Sequence, residues 1–397
     1  MSIKQKIKEI AARNAGDVIK IRRHIHANPE LSYQEYETAR YVADQLKAIG
    51  ITPKEGVADT GLTAVIEGKN PNSKVVALRA DMDALPIVEA NDVAYKSKNE
   101  GVMHACGHDA HTSSLLGAAK ILHELKGEFE GSIKLIFQPG EERNPGGASL
   151  MIKDGALKNP SPNCIFGQHV MPLIPVGKVG FREGMYMASC DEIYLTIKGK
   201  GGHGAVPELA VDPVLITSHI IVAMQQIISR NASPKTPSVL SFGKVIANGA
   251  TNIIPDEVHV AGTFRAMNEE WREDAHKRIK LLAENIASSM GGSCIVDISK
   301  GYPYLVNDPE LTKVGRFAAE EYLGKENVLD LDLWMGAEDF AYYTHEMPAC
   351  FYRLGTRNEA KGITSYVHTP TFDIDEDALE IGAGMMAWIA INKLNSM

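Results

Sequence analysis

Cysteine is scarce in this chain: Cys106, Cys164, Cys190, Cys294 and Cys350 are the five, an odd number, widely scattered and without a CxxC pair. Such usage argues against a disulfide framework and for a reducing compartment, with most thiols as inert core residues. Long apolar runs are missing as well. Polar residues break every hydrophobic stretch well short of the roughly 18 residues that a membrane span needs. The N-terminal stretch MSIKQKIKEIAARNAGDVIKIRRHIH is charged and amphipathic, with no apolar centre of the kind a secretory signal carries. Positive charge is not in excess: 41 Lys and Arg face 50 Asp and Glu, a net charge of -9. That balance speaks against a nucleic-acid footprint and a polybasic membrane anchor. Repeats and low-complexity segments are absent too. The expectation is a cytoplasmic protein that binds neither nucleic acid nor membrane.

What is present is ordinary for a soluble enzyme: 44% hydrophobic and 23% charged residues. A length of 397 residues suggests two domains, at about 100–200 residues each. The first part alternates helical and strand patterns. Apolar spacing predicts helices over 4–26, 35–49 and 113–125, the second stopping at Gly50. Short apolar runs at 62–66, 75–78, 133–137 and 164–167 read as strands buried on both faces. This order predicts an α/β fold, a mostly parallel sheet covered by helices. From Met187 the order becomes βαββαβ, that of a ferredoxin-like α+β unit. The division expected is therefore 1–186, an inserted domain 187–301, and a return to the first domain over 302–397.

Chemistry-bearing residues concentrate in a few segments. MHACGHDAH, residues 103–111, sets Cys106 and His108 two apart, a pairing suited to a borderline cation such as zinc. IFQPGEE, residues 136–142, delivers Glu141 and Glu142 from a strand end. Neighbouring side chains point apart, so one carboxylate can bind metal while the other takes a proton. RADMDALP, residues 79–86, holds Asp81 and Asp83 on one face of an extended chain. Two such carboxylates repel unless a cation or histidine compensates them. Isolated histidines stand at His169, His203 and His368. Taken singly, each of these features also suits a solvated loop or a hydrogen-bonded structural residue.

Taken in order, RRHIHANPELSYQEYET, RADMDALPI, GVMHACGHDAHTSSLLGAA, IFQPGEE, GQHV, KGKGGHGAVP, NIIPD, GTFRAM, MGAEDFAYY and HTPTFDIDE resemble the N-acyl-amino-acid amidohydrolases. These include hippurate hydrolases, auxin-conjugate hydrolases, aminoacylases and certain bacterial carboxypeptidases. The resemblance spans nearly the whole chain. It implies a zinc-peptidase-like catalytic domain with an inserted lid or dimerisation domain, two divalent cations per subunit, and a homodimer. Carried over, it assigns the metal ligands to Cys106, His108, Glu142, His169 and His368, and the general base to Glu141. It gives His203, Asn252 and Arg265 to the substrate, with His203 reaching the site from the neighbouring subunit. Many wider relatives have a His-x-Asp ligand motif where this chain has Asp81-Met-Asp83, so the two aspartates read as supporting acids. His24 and His26 read as structural. Zinc suits the cysteine and histidines, and manganese, cobalt or nickel could take the same ligands. The activity implied is hydrolysis of N-acyl amino acids. A carboxypeptidase or dipeptidase, a cysteine hydrolase built on Cys106, and a non-catalytic metal- or ligand-binding module are the alternatives.

Overall fold

Residues buried on both faces need partners on both sides, and they find them in a central sheet. In the computed structural model, which describes residues 1–397, this sheet has eight strands. Six of them are β1 (Lys54–Val57), β2 (Gly61–Glu67), β3 (Val75–Asp81), β4 (Ser132–Gln138), β5 (Cys164–Pro175) and β6 (Val179–Phe181). With the strands Val328–Asp330 and Ala349–Arg357 the order is β1, β2, β4, β3, β5, Ala349–Arg357, β6, Val328–Asp330. The centre is parallel: β4, β3, β5 and Ala349–Arg357 share one direction. β2 joins antiparallel to β4. Every residue of β3 and β4 is buried, as the continuous apolar runs require of a sheet covered on both faces.

The covering helices include α1 (Ile3–Ala27), α2 (Tyr36–Ala48), α3 (His108–Glu124) and the C-terminal helix Asp377–Ser396. α1, α3 and the C-terminal helix pack together. Leu115, Leu116, Ile121 and Leu122 of α3 join Ile133, Leu135 and Phe137 of β4 in the main core. Because the parallel strands run alike, Asp81 at the end of β3 and Gln138 at the end of β4 emerge at the same edge. Such an edge is where open α/β sheets place their sites.

These elements belong to a unit made of Met1–Tyr186, Val306–Asp332 and Asp339–Met397. A second unit comprises Met187–Leu305 and Leu333–Glu338. Its antiparallel sheet has the order Ser238–Ile246, Glu257–Ala266, Asp191–Lys198, Ser293–Lys300, which is the ferredoxin-like arrangement. Ile193, Leu195 and Ile197 alternate inward against Ile216, Ile220 and Ile279 of its helices. Asn268 and Asp308, each a residue type suited to the N-cap, begin two helices: Asn268 accepts from the Trp271 amide and Asp308 from the Leu311 amide. No helix is long and apolar enough to cross a membrane.

Two elements differ from the sequence expectation. α3 starts at His108 rather than Ser113, because its first turn is buried although polar and gives no apolar period. β5 continues to Pro175, so His169 lies inside a strand and not at its end.

Candidate metal centre and active site

Cys106 and His108 flank Gly107, the residue before α3. Gly107 has a φ of 88°, and a Cβ there would fall 2.5 Å from Val170 Cγ2 of β5. Only glycine accepts both conditions. The close approach seats the start of α3 against β5, and Cys106 Sγ lies 3.4 Å from His169 Nε2. The same sulfur is 3.4 Å from His368 Nε2. His368 has a φ of 61°, a costly conformation for a side-chain-bearing residue and one that gathers at functional sites. Its Nε2 stands 3.0 Å from Glu142 Oε1 without hydrogen-bond alignment, so that oxygen has no donor.

The second nitrogen of each imidazole sets what the first can do. His169 Nδ1–H donates to the Val170 carbonyl at 2.7 Å, and His108 Nδ1–H donates to Asp83 Oδ1 at 3.1 Å. Both rings therefore leave Nε2 to face the cluster, and that of His108 is buried without a hydrogen-bond partner. His111 differs. Its Nδ1–H donates to Asp81 Oδ1 at 2.6 Å, and its Nε2 accepts the Val170 amide at 2.8 Å. With both nitrogens used, His111 has nothing to offer an ion.

Donor atoms thus converge in two triads that share Cys106: Cys106 with His108 and His169, and Cys106 with Glu142 and His368. Within each, the donors lie within 4.8 Å of one another. A sulfur, three imidazole nitrogens and a carboxylate oxygen are ligands for borderline divalent cations. The electrostatics fit the same occupant. Burial opposes charge on His108, but Asp81 and Asp83 outweigh it and push the ring up to about 10. The cluster demands positive charge at that nitrogen. Burial, Glu142 and Glu141 push the Cys106 thiol up, the reverse of what activates a nucleophilic cysteine. Burial and the Arg353 guanidinium hold His169 neutral.

Asp81 and Asp83 do different work from the cluster itself. Burial would raise both, but Arg79 with His108 and His111 holds Asp81 well below the usual carboxylate range, and the hydrogen bond from His108 holds Asp83 below it. Arg79 Nη1 reaches Asp81 at 2.5 Å, while its Nη2 reaches Asp339 Oδ1 at 2.8 Å. Asp83 accepts the Glu141 amide on Oδ1 and the Glu142 amide on Oδ2, each at 3.0 Å. Glu141 Oε2 stands 3.9 Å from His108 Nε2, and its Oε1 accepts the Asp339 amide at 3.4 Å.

The structure therefore gathers Cys106, His108, Glu141, Glu142, His169, His368, Asp81 and Asp83. In the second unit, His203 and Asn252 line one cleft with Asn248, Asp256 and His259. His203 Nδ1 accepts the Ala205 amide at 3.0 Å, which leaves Nε2 exposed. Arg265 does not line that cleft; its Nε donates to Thr263 Oγ1 at 3.1 Å on the strand Glu257–Ala266. His24 stacks on Tyr41 and His26 binds Asp109 and Glu89, both away from the ligand set. Sequence reasoning gave no role to Arg79, Asp339, Ser32, Tyr33 or Glu35. Arg79 was legible in principle, since it precedes Asp81 by two on one strand face. Asp339 meets Arg79 only through the fold.

A model of Peptidase family M20/M25/M40 matches residues 77–392. The chain is 39% identical over 399 residues to thermostable carboxypeptidase 2 of Saccharolobus solfataricus, covering 100% of both chains. It is 40% identical over 362 residues to the N-acetyl-L-cysteine deacetylase of Bacillus subtilis, covering 91% of this chain and 84% of that one. A crystal structure of a dinuclear metal-binding M20 peptidase from Bacillus subtilis superposes with a TM-score of 0.83 at 33% identity, over 97% of this chain and 100% of that chain.

Proposed function

This chain belongs to peptidase family M20/M25/M40 and is a metal-dependent hydrolase, and from that premise we propose that it cleaves the amide bond of N-acyl amino acids. The observation that carries the reading is the separation of two adjacent carboxylates. Glu142 faces His368 at 3.0 Å, while Glu141 faces His108 Nε2 at 3.9 Å. This separation supports a reading in which Glu142 binds an ion and Glu141 handles a proton.

Cys106, His108, Glu142, His169 and His368 would hold two divalent cations, zinc or manganese with cobalt or nickel as substitutes, which supply Lewis-acid polarisation of the scissile carbonyl and acidify water. Glu141 accepts the proton of the attacking water and later delivers one to the leaving amine nitrogen. Its Oε1 is steadied by the Asp339 amide, and its own amide is fixed by Asp83. His203 donates to the developing oxyanion, and Asn252 and Arg265 hold the substrate carboxylate, Arg265 by its planar fork. The second unit acts as lid and dimerisation domain, with His203 supplied by a second copy in a homodimer. Asp81 and Asp83 remain supporting acids: Asp83 orients His108, and Asp81 is joined to His111 and Arg79.

A second reading, carboxypeptidase or dipeptidase, is favoured by the 39% identity to the thermostable carboxypeptidase. Kinetics on acetyl-, benzoyl- and long-chain acyl-amino acids beside dipeptides separates the two. The same assay tests Arg265. A hydrogen bond to a charged group contributes about 1.5–3 kcal/mol, equivalent to about 10–200-fold in kcat/KM. Wild type should prefer an N-acyl amino acid to its carboxamide by that factor, and Arg265→Ala should lose most of the preference while keeping its metal. Equal hydrolysis of acid and carboxamide by wild type would make the protein a general amidase instead.

A further inference from the structure

Three consecutive amides, those of Gly140, Glu141 and Glu142, end on two buried carboxylates. Asp83 takes the latter two. Glu35, wholly buried, takes the first: its Oε1 accepts the Gly140 amide at 2.8 Å and the Tyr33 amide at 2.9 Å, and its Oε2 accepts the Thr60 hydroxyl at 2.8 Å. Tyr33 grips the same loop from its outer side. Its hydroxyl donates to the Arg143 carbonyl at 2.5 Å and accepts the Gly146 amide at 3.1 Å. Its ring lies so close to Gly140 that a Cβ there would fall 2.2 Å from Tyr33 Cε1. Ser32 completes the contact by donating to Asp83 Oδ2 at 2.7 Å. Tyr33 holds a φ of 66°, a left-handed conformation that persists where surrounding contacts enforce it. A wholly buried carboxylate, a strained tyrosine and a glycine without room for a Cβ all act on one loop, Pro139–Gly146.

We propose that Tyr33 and Glu35 are positioning residues for this hydrolase, a bracket that fixes the Pro139–Gly146 loop and thereby aims the Glu141 carboxylate. This rests on Glu141 being the proton acceptor. Neither residue touches the reacting atoms. A displacement of about 1 Å at a catalytic group costs on the order of 10²-fold, so a loosened loop shows in turnover before it shows in binding.

The test uses the metal-loaded enzyme with N-acetyl- and N-benzoyl-amino acids as probes, metal analysis, and hydrogen exchange of the peptide covering 139–146. Glu35→Ala should lower kcat at least about tenfold, with KM within about threefold of wild type and full metal content. Exchange in 139–146 should rise. Glu35→Gln, whose amide oxygen still accepts from Gly140, should recover most of the lost turnover. Tyr33→Phe keeps the ring, deletes both hydroxyl bonds, and should lower kcat in the same KM-sparing way; it decides the matter if Glu35→Ala does not fold. Unchanged kcat in Glu35→Ala or Tyr33→Phe overturns the bracket. So does a loss of kcat that only follows lost metal or lost folded protein, or a Gln variant as poor as Ala. Undiminished turnover in Glu141→Gln, by contrast, would sink the underlying assignment of the base.

Discussion

At the residue scale, chemically similar side chains take different duties because their second atoms are engaged differently. His108 and His111 sit one helical turn apart, yet only His108 keeps a buried Nε2 without a hydrogen-bond partner; His111 spends its own on the Val170 amide. Spacing alone cannot show this, since both residues occur in one cluster of the sequence. Glu141 and Glu142 are likewise adjacent, and their amides are pinned to the two oxygens of a single aspartate. Fixed amides hold the two side chains on separate courses. Glu141→Gln removes the proposed proton acceptor and keeps the shape, so turnover should fall about 10²–10⁴-fold with metal retained. Glu142→Gln removes a proposed ligand, so metal content should fall first. Kinetics paired with metal analysis of the two variants checks the division, and the reversed pattern would exchange the two roles.

At the element scale, buried ion clusters tie helices to strands. In the second unit, Asp191 at the start of its strand accepts Arg272 Nε at 2.9 Å and His276 Nε2 at 2.7 Å from the helix Glu269–Ser289, together with the Gly301 amide at 3.1 Å. Burial opposes the Asp191 charge, but Arg272 and His276 outweigh it and hold the carboxyl down to about 2. An unfolded aspartate titrates near about 3.9. The folded value is the lower one, so the stabilisation is complete above the unfolded value and is lost as pH falls through about 2. Urea unfolding between pH 5 and pH 2, ranges set by about those two values, should show stability falling with acid. Asp191→Asn should flatten that slope and cost on the order of 3 kcal/mol at neutral pH, because it strips a buried guanidinium of its main partner. An unchanged slope in the variant would show that other carboxylates govern acid unfolding. Much at this scale was legible in sequence: the buried strands, the caps at Asn268 and Asp308, and the βαββαβ order all follow from pattern. The first turn of α3 was not, because its residues are polar and buried for the sake of the site; nor was the far end of β5, where Gln168 and His169 interrupt the apolar run and Pro172 and Pro175 punctuate it.

At the scale of the whole molecule, the candidate site is assembled from distant stretches. Cys106 and His108 open α3, Glu141 and Glu142 follow β4, His169 lies in β5, and His368 comes from a loop near the C-terminus. Their identities were readable as motifs, since each type offers the donor a borderline cation takes. Their convergence was not, because strand order and register are long-range properties. Asp339 and Glu35 show the limit best. Each secures Glu141 or its loop from a segment far away in sequence, and neither residue type announces that work. A cluster of carboxylates and imidazoles that favours positive charge should also be stabilised by its ions, so removing metal should lower the melting temperature as well as activity. In the proposed reaction Cys106, His108, Glu142, His169 and His368 hold two cations on which amide hydrolysis depends. The most direct test is to strip the protein of metal, verify this by elemental analysis, and titrate zinc or manganese back while following hydrolysis of an N-acyl amino acid. Turnover should be absent at the start and rise to a plateau near two ions per chain, with Cys106→Ala and His368→Ala reaching a lower stoichiometry. Full turnover in verified metal-free protein would contradict the account.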